Sequence, residues 1–267
     1  MDEHFAKEVL IARYSPNERL VQLLVKMKDA VGALADVNRI TAGESVDLRQ
    51  SITYSVPKEY AVYSAFAAVK KGYELSVLLG KLRQSPFVIE ARAVDGVDGS
   101  VVDTLLFPVN FARDRVVVLE ARAVVSMFEA IQQNFGTGGS VIMYQLGHYY
   151  GHSLFDKLAA SFTPAFMAKN HAYGLKILGA TGWGIPEIMS ENDTLTKVAV
   201  QVKECFLCEK SRVKGRAGYF MAGVLAGAFS FLSGRELLAT EEKCIANGDD
   251  ICEFSVYPEG AHARQGR

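Results

Sequence analysis

The chain has four cysteines, and all lie in its last quarter, as two pairs. Cys244 and Cys252 flank Asn247-Gly248-Asp249-Asp250. An Asn-Gly pair favours the positive φ angles of a tight hairpin turn. Folding back there brings Cys244 and Cys252 close across two strands. Cys205 and Cys208 form Cys205-Phe206-Leu207-Cys208 on another strand-like run. Four thiols in a chain this size do not make a disulfide scaffold, and a reducing compartment favours free thiols or metal ligands. The spacing points to a structural metal site beneath a small-molecule pocket. In an extended strand residues three apart face opposite ways, so Cys205 and Cys208 reach one ion only if the strand ends or bulges between them. The competing reading is four reduced cysteines serving as small core residues or as a redox pair.

The bulk numbers bound what surrounds those thiols. At 267 residues the chain is long enough for two domains. Hydrophobic content of 49% and charged content of 22% fit a globular protein. A formal net charge of -1 argues against direct nucleic-acid binding. The small-residue run 217–232 is short of the roughly 20 residues a membrane span needs, so no membrane association is expected. The acidic start, Met1-Asp2-Glu3-His4, lacks the apolar core of a signal peptide, which predicts a cytoplasmic protein.

The first third alternates in the order β-α-β-β-α-β, the ferredoxin-like split arrangement. Strands are expected at 18–28, 45–56, 60–69 and 87–94, with helices at 32–41 and 73–83 and a turn at Pro57-Lys58. Asp29-Ala30-Val31-Gly32-Ala33-Leu34 resembles the turn of ACT domains, with Val31 where those domains usually carry proline. That resemblance implies an effector loop at Asp29 and Gly32, or a surface for dimerisation. Asp95-Gly96-Val97-Asp98-Gly99-Ser100 reads as a linker, dividing an ACT-like domain at 1–97 from a second domain at 98–260. The polar tail 261–267 reads as disordered.

In the second domain, short strands are expected at 105–109 and 116–119, around a turn at 112–114. Helices are expected at 124–135, 141–158, 162–173 and 219–232, with a flexible glycine-rich connection at 136–140. Strands are expected at 174–183 and 195–205, joined by a turn through Gly184-Ile185-Pro186. Gly147 and Gly151 lie four apart on one helix, beside the row of Tyr144 and His148. The helix at 219–232 is apolar all round, hence buried, and carries Phe220, Gly223, Val224 and Gly227. Glycine costs about 1 kcal/mol against alanine within a helix, so four of them mark close packing or room for a flat ligand.

Four segments together resemble the 4-vinyl reductase domain. They are 135–139 with 144–148, Glu204-Cys205-Phe206-Leu207-Cys208, Ala222-Gly223-Val224-Leu225-Ala226-Gly227, and 241–254. The resemblance implies an α+β fold shared with TRAPP trafficking subunits, with helices packed on a twisted antiparallel sheet, usually dimeric. It also implies binding of small apolar or aromatic molecules. In the family's phenol- and toluene-sensing activators, zinc is held by a glutamate, a cysteine three residues on and another cysteine eight later. Glu241, Cys244 and Cys252 match that pattern. Those sensors' remaining cysteine falls at about Gly218 here, a residue without a ligand atom, so Cys205 or Cys208 must substitute. Tetrahedral zinc favours thiolates and tolerates one carboxylate, so four cysteines, or three with Glu241, complete the site. The chain must then kink between Glu241 and Cys244, and Lys203, Lys210 and Lys243 are placed to offset the excess negative charge.

The resulting expectation is a non-catalytic sensor or regulator that acts through a regulatory protein partner, as a homodimer. Its small apolar or aromatic ligand would lie between the helices at 143–155 and 220–232, with His171 and Trp183 as polar anchors. The alternative is an enzyme or accessory subunit acting on an aromatic or tetrapyrrole-like substrate with catalytic zinc. No nucleotide-binding glycine fingerprint follows a strand.

Overall fold

The computed structural model describes residues 6–56, 59–111, 114–209, 211 and 217–260. The chain divides into two compact units, Met1–Val109 and Asn110–Arg267. Both are mixed α and β, and every paired strand is antiparallel. No helix is long and apolar enough to cross a membrane among the described residues.

The first unit runs β1 (Ala12–Tyr14), β2 (Arg19–Met27), α1 (Ala33–Gly43), β3 (Asp47–Val56), β4 (Tyr60–Val69), α2 (Leu75–Gln84), β5 (Val88–Asp95) and β6 (Ser100–Val102). Its main sheet has the order β3-β4-β2-β5. Alternation along β2 and β4 sets the two faces. Val21, Leu23, Val25 and Met27 join Tyr63, Ala65 and Ala67 in a core with Val37 of α1 and Leu78 and Leu82 of α2. On the opposite face Gln22 is fully buried. Its amide donates to Ser64 and Asp103 and accepts from the Thr104 N–H. The same face packs Leu20, Phe66 and Ala68 against Leu10 and Val101. Those contacts, with the pairing of β1 and β6, keep residues 100–106 in the first unit. The expected linker at 95–100 is therefore a tight turn inside it, and the units meet at Val109 and Asn110 instead of 97/98. The expected turn at 57–58 lies outside the described residues.

The second unit runs β7 (Asn110–Phe111), β8 (Asp114–Arg115), α3 (Ala121–Phe135), α4 (Thr137–Phe162), α5 (Pro164–Lys169), α6 (His171–Ala180), β9 (Ile185–Glu191), β10 (Val198–Lys203), α7 (Phe206–Glu209), α8 (Tyr219–Ser233), β11 (Leu237–Lys243) and β12 (Cys252–Pro258). A 3-10 turn at Ile245–Asn247 joins the last two. The sheet order is β11-β12-β10-β9. Val198, Val200 and Val202 of β10 alternate inward beside Cys252, Phe254 and Val256 of β12. α8 is buried continuously from Phe220 to Ser230, and its core cluster joins α4 to that sheet.

Several expected elements differ. Residues 105–109 and 116–119 are not strands. Residues 137–140 open α4 and are not a flexible connection. Gly139 lies so close to the end of α3 that a Cβ there would sit 2.7 Å from the Ile131 carbonyl oxygen, so the glycines permit a sharp helical hairpin. The expected helix at 162–173 is two, α5 and the start of α6. Residues 174–180, expected to be strand, continue α6, and the strand falls on 185–191, where a turn was expected. Short apolar runs do not distinguish the two periods; here Gly174 fits beneath Phe155 and Met167 only as part of a helix. The turn at 112–114 is partly, and the tail 261–267 wholly, outside the described residues.

Candidate metal centre

Three local irregularities bring the donor atoms together. β10 ends at Lys203, Glu204 takes a φ of 52°, and the chain turns into α7. The Cys208 N–H donates to the Cys205 carbonyl at 3.0 Å, which closes that turn and rotates Cys208 inward. β11 carries a register shift between Glu241 and Lys243, so Glu241 and Cys244 both face the interior although three residues apart. The third is the loop after Cys244. Its N–H donates to the Asp249 carboxylate at 2.8 Å, its carbonyl accepts from Asn247 and Asp249, and Gly248 takes a φ of 103°. Of the expected Asn-Gly turn only the glycine is left-handed; Asn247 ends the 3-10 turn.

Cys208, Glu241, Cys244 and Cys252 thereby converge, with one donor atom from each lying within 4.8 Å of the others. None of the four is more than 5% exposed. The Cys244 and Cys208 sulfurs are 3.5 Å apart, and Cys208 Sγ lies 3.7 Å from Glu241 Oε1. A tetrahedral zinc with bonds near 2.3 Å sets its thiolates about 3.8 Å apart, so the group has the size of a zinc shell. Cys205 is also fully buried but lies outside this group. Its thiol is hydrogen-bonded to those of Cys208 and Cys252.

Glu241 decides the electrostatics. Among the described residues no Lys or Arg pairs with it; the Gly218 N–H donates to Oε2 at 3.1 Å. Burial, then the neighbouring Cys244, pushes its carboxyl up to about 8. Cys208 is pushed upward by Cys205, Cys244, Cys252 and its own burial. Lys203 and Lys243 point elsewhere, pairing with Glu187 at 3.2 Å and Glu253 at 2.9 Å, and Lys210 lies outside the described residues. An interior that holds three thiols and a carboxyl without a cation is matched to a divalent ion that displaces their protons. Gly218, where a thiol ligand falls in the resembling sensors, contributes only backbone: a Cβ there would collide with the Glu241 carboxylate.

Beside this group stands an aromatic stack. Trp183, the chain's one tryptophan, stacks on Phe220 at 5.4 Å and on Tyr150 at 5.1 Å and meets the Phe206 ring edge-on at 5.3 Å. Phe128 lies 4.9 Å from Phe220. Phe206 sits between Cys205 and Cys208, and Phe220 follows Gly218 by two residues. The stack is thus carried by the same two segments that frame the donors. Tyr150 is 38% exposed, so the stack reaches the surface. Sequence reasoning found Trp183 and Phe220 but missed Tyr150, Phe128 and Phe206. Tyr150 lies three residues past Gly147 on the same helix face, the one signal for it.

The expected ligand site between α4 and α8 is corrected by the packing. A Cβ on Gly147 would fall on the Phe220 carbonyl, on Gly151 on that of Val224, on Gly223 on that of Tyr144, and on Gly227 on that of His148. The four glycines and Val224 serve backbone-to-backbone contact, which leaves no room for a guest between the helices. Tyr144 is a strut: its hydroxyl accepts from the Ala239 N–H at 2.9 Å and ties α4 to β11. His148 lies at the rim, 3.6 Å from Glu236. His171 bonds Glu191 at 2.7 Å, at the mouth of a polar hollow of about 290 Å³ with Asn192, Asp193 and Leu195. It stands at the opposite end of α6 from Trp183, about 14 Å away along a helix of that length, so the two share no site. In the first unit Gly32 is left-handed, with a φ of 90°, at the start of α1, and Asp29 accepts from the Ser55 hydroxyl at 3.1 Å.

Residues 198–258 match the 4-vinyl reductase (V-4-R) domain family. The matched region thus holds all four converging donors. An uncharacterized protein of Methanocaldococcus jannaschii is 27% identical over 116 residues, which cover 43% of this chain and 55% of that protein. The chain therefore spans little more than half the length of that relative. Among solved structures, the phenol-responsive sensory domain of the transcription activator PoxR, determined with phenol, is similar at 15% identity and a TM-score of 0.46, over 54% of this chain and 77% of that one. A vinyl-4-reductase family protein from M. jannaschii is similar at 20% identity and a TM-score of 0.33, over 51% and 90%.

Proposed function

We propose that the second unit is a small-molecule sensing domain in which Cys208, Glu241, Cys244 and Cys252 hold a structural zinc and the Trp183 stack receives a small apolar or aromatic guest. The observation that carries the reading is the convergence of three buried thiols and a carboxyl without a cationic partner among the described residues. The family match over the same residues supports it. Four protein donors fill a tetrahedral shell and leave no position for substrate, which favours a structural role over a catalytic one. Zinc there would fix α7, the bulge in β11 and the loop after Cys244 to one another. The first unit would serve homodimerisation or bind an effector at the loop of Asp29 and Gly32, with output passing to a regulatory protein partner.

Phenol is a suitable probe for the guest site, because a planar ring can extend the offset stack of Trp183, Tyr150 and Phe220. Titrating the full chain with phenol should change Trp183 fluorescence along a saturable curve with a Kd below about 1 mM. Tyr150→Ala should weaken it by roughly 3- to 10-fold, the worth of one aromatic pair. A response that rises linearly without saturation would count against the stack as the guest site.

A further inference from the structure

Cys205 is the one cysteine that the proposed zinc shell does not use. It is fully buried, and its thiol touches two shell thiols, those of Cys208 and Cys252. Cys205 and Cys208 stand three apart across a closed turn, with the Cys208 and Glu209 N–H groups both donating to the Cys205 carbonyl at 3.0 Å. One turn of this kind sets two Cα atoms about 5 to 6 Å apart, inside the range a disulfide spans. A thiol packed against a ligand thiol, at disulfide reach and outside the shell, is placed to capture that ligand once it is oxidised.

We propose that Cys205 and Cys208 form a redox pair that dismantles the metal centre, with Cys205 as the resolving thiol. The oxidant is a hydroperoxide. The Cys208 sulfur attacks the O–O bond, which breaks to leave a sulfenic acid on Cys208 and release the peroxide's other oxygen as an alcohol, or as water from hydrogen peroxide. The Cys205 sulfur then attacks Cys208, the S–O bond breaks, and water departs carrying the Cys205 proton. The sulfur pair gives up two electrons and the peroxide takes up two. Zinc keeps three of its four protein donors and is released. Because Cys205 and Cys208 are at most 2% exposed, oxidant reaches them through local opening of α7, so the step is slower than at a surface thiol.

This inference rests on zinc being the bound group, and the test separates the two. Zinc-loaded full-length protein is treated with hydrogen peroxide, zinc release is followed with a chromophoric indicator, and disulfides are mapped after trypsin. The tryptic peptide 204–210 contains both Cys205 and Cys208, and Cys244 and Cys252 share another, so an internal link in the first peptide is distinct from every other pairing. The expected result is release of zinc in step with an internal link in 204–210, both reversed by dithiothreitol and added zinc. Cys205→Ser should slow release roughly tenfold or more. Zinc leaving while 204–210 stays unlinked, or leaving Cys205→Ser at the wild-type rate, would overturn the pair. Should the serine variant not fold, Cys205→Ala and the wild-type peptide map decide the matter. Protein that carries no zinc before oxidation would instead sink the proposed function.

Discussion

Stripping zinc from the full chain with a strong chelator is expected to lower the thermal midpoint by roughly 10 °C or more, and restoring zinc should restore it. Structural zinc supplies about 10 to 16 kcal/mol of apparent binding free energy to small metal-dependent folds. Here α8 and the sheet have their own buried core, so part of the unit should survive without metal. What fails is the corner where α7, the β11 bulge and the loop after Cys244 meet. Cys252→Ser should reproduce the loss and make the protein insensitive to chelator, with zinc affinity reduced beyond the roughly 10- to 100-fold that changes outside the ligand shell produce. A pH signature accompanies it. In metal-free protein the Glu241 carboxyl titrates near 8, above the usual carboxylate value of 4.5, chiefly through burial and then Cys244. The folded state therefore holds a proton that the unfolded chain gives up above that value. Metal-free protein should lose stability as pH rises from about 4.5 through 8, by a few kcal/mol. Zinc-loaded protein should not, because the metal has already displaced the proton. Thermal scans at pH 6 and pH 8.5, with and without chelator, read both effects. Equal midpoints in all four conditions would contradict them.

Gly223→Ala and Gly227→Ala are each expected to destabilise the second unit by on the order of 3 kcal/mol, at the upper end of overpacking in a packed interior. Helix propensity alone would make both changes favourable by about 1 kcal/mol, so the sign of the result separates packing from propensity. At each site the added Cβ would occupy the carbonyl of a residue on α4, and backbone cannot rotate away as a side chain can. Gly182→Ala is a poor control because that residue has a φ of 87°, whereas Gly138, also in α4, has nothing within 4 Å of an added Cβ. Gly138→Ala should be neutral or slightly stabilising. Urea denaturation of the three variants measures the difference, and a Gly227→Ala protein as stable as wild type would mean that the helices stand further apart than described.

What could be read before the structure, and what could not, follows from the range of the interactions. The β-α-β-β-α-β order of the first unit shows in local periodicity because each element has one buried face. The pairing of Cys244 with Cys252 is legible for the same reason, since the turn between them is local. The choice of Cys208 over Cys205 depends on where β10 stops, and that depends on the positive φ of Glu204, which no residue type there announces. The glycines of α4 and α8 signal close approach, but sequence does not say whether a helix or a ligand makes it. Trp183 was legible as a candidate, while its neighbours come from four separate segments and meet only through tertiary packing. Burial of β1 and β6 in the first unit likewise turns on Gln22, a polar residue inside an apolar strand whose partners Asp103 and Thr104 are some eighty residues away.

The central claim is most directly tested by native mass spectrometry of the full chain purified without added metal or chelator. The account predicts one zinc per chain, retained by wild type and absent from Cys244→Ser. Metal-free wild-type protein, or zinc that persists undiminished when Cys244 is replaced, would contradict it.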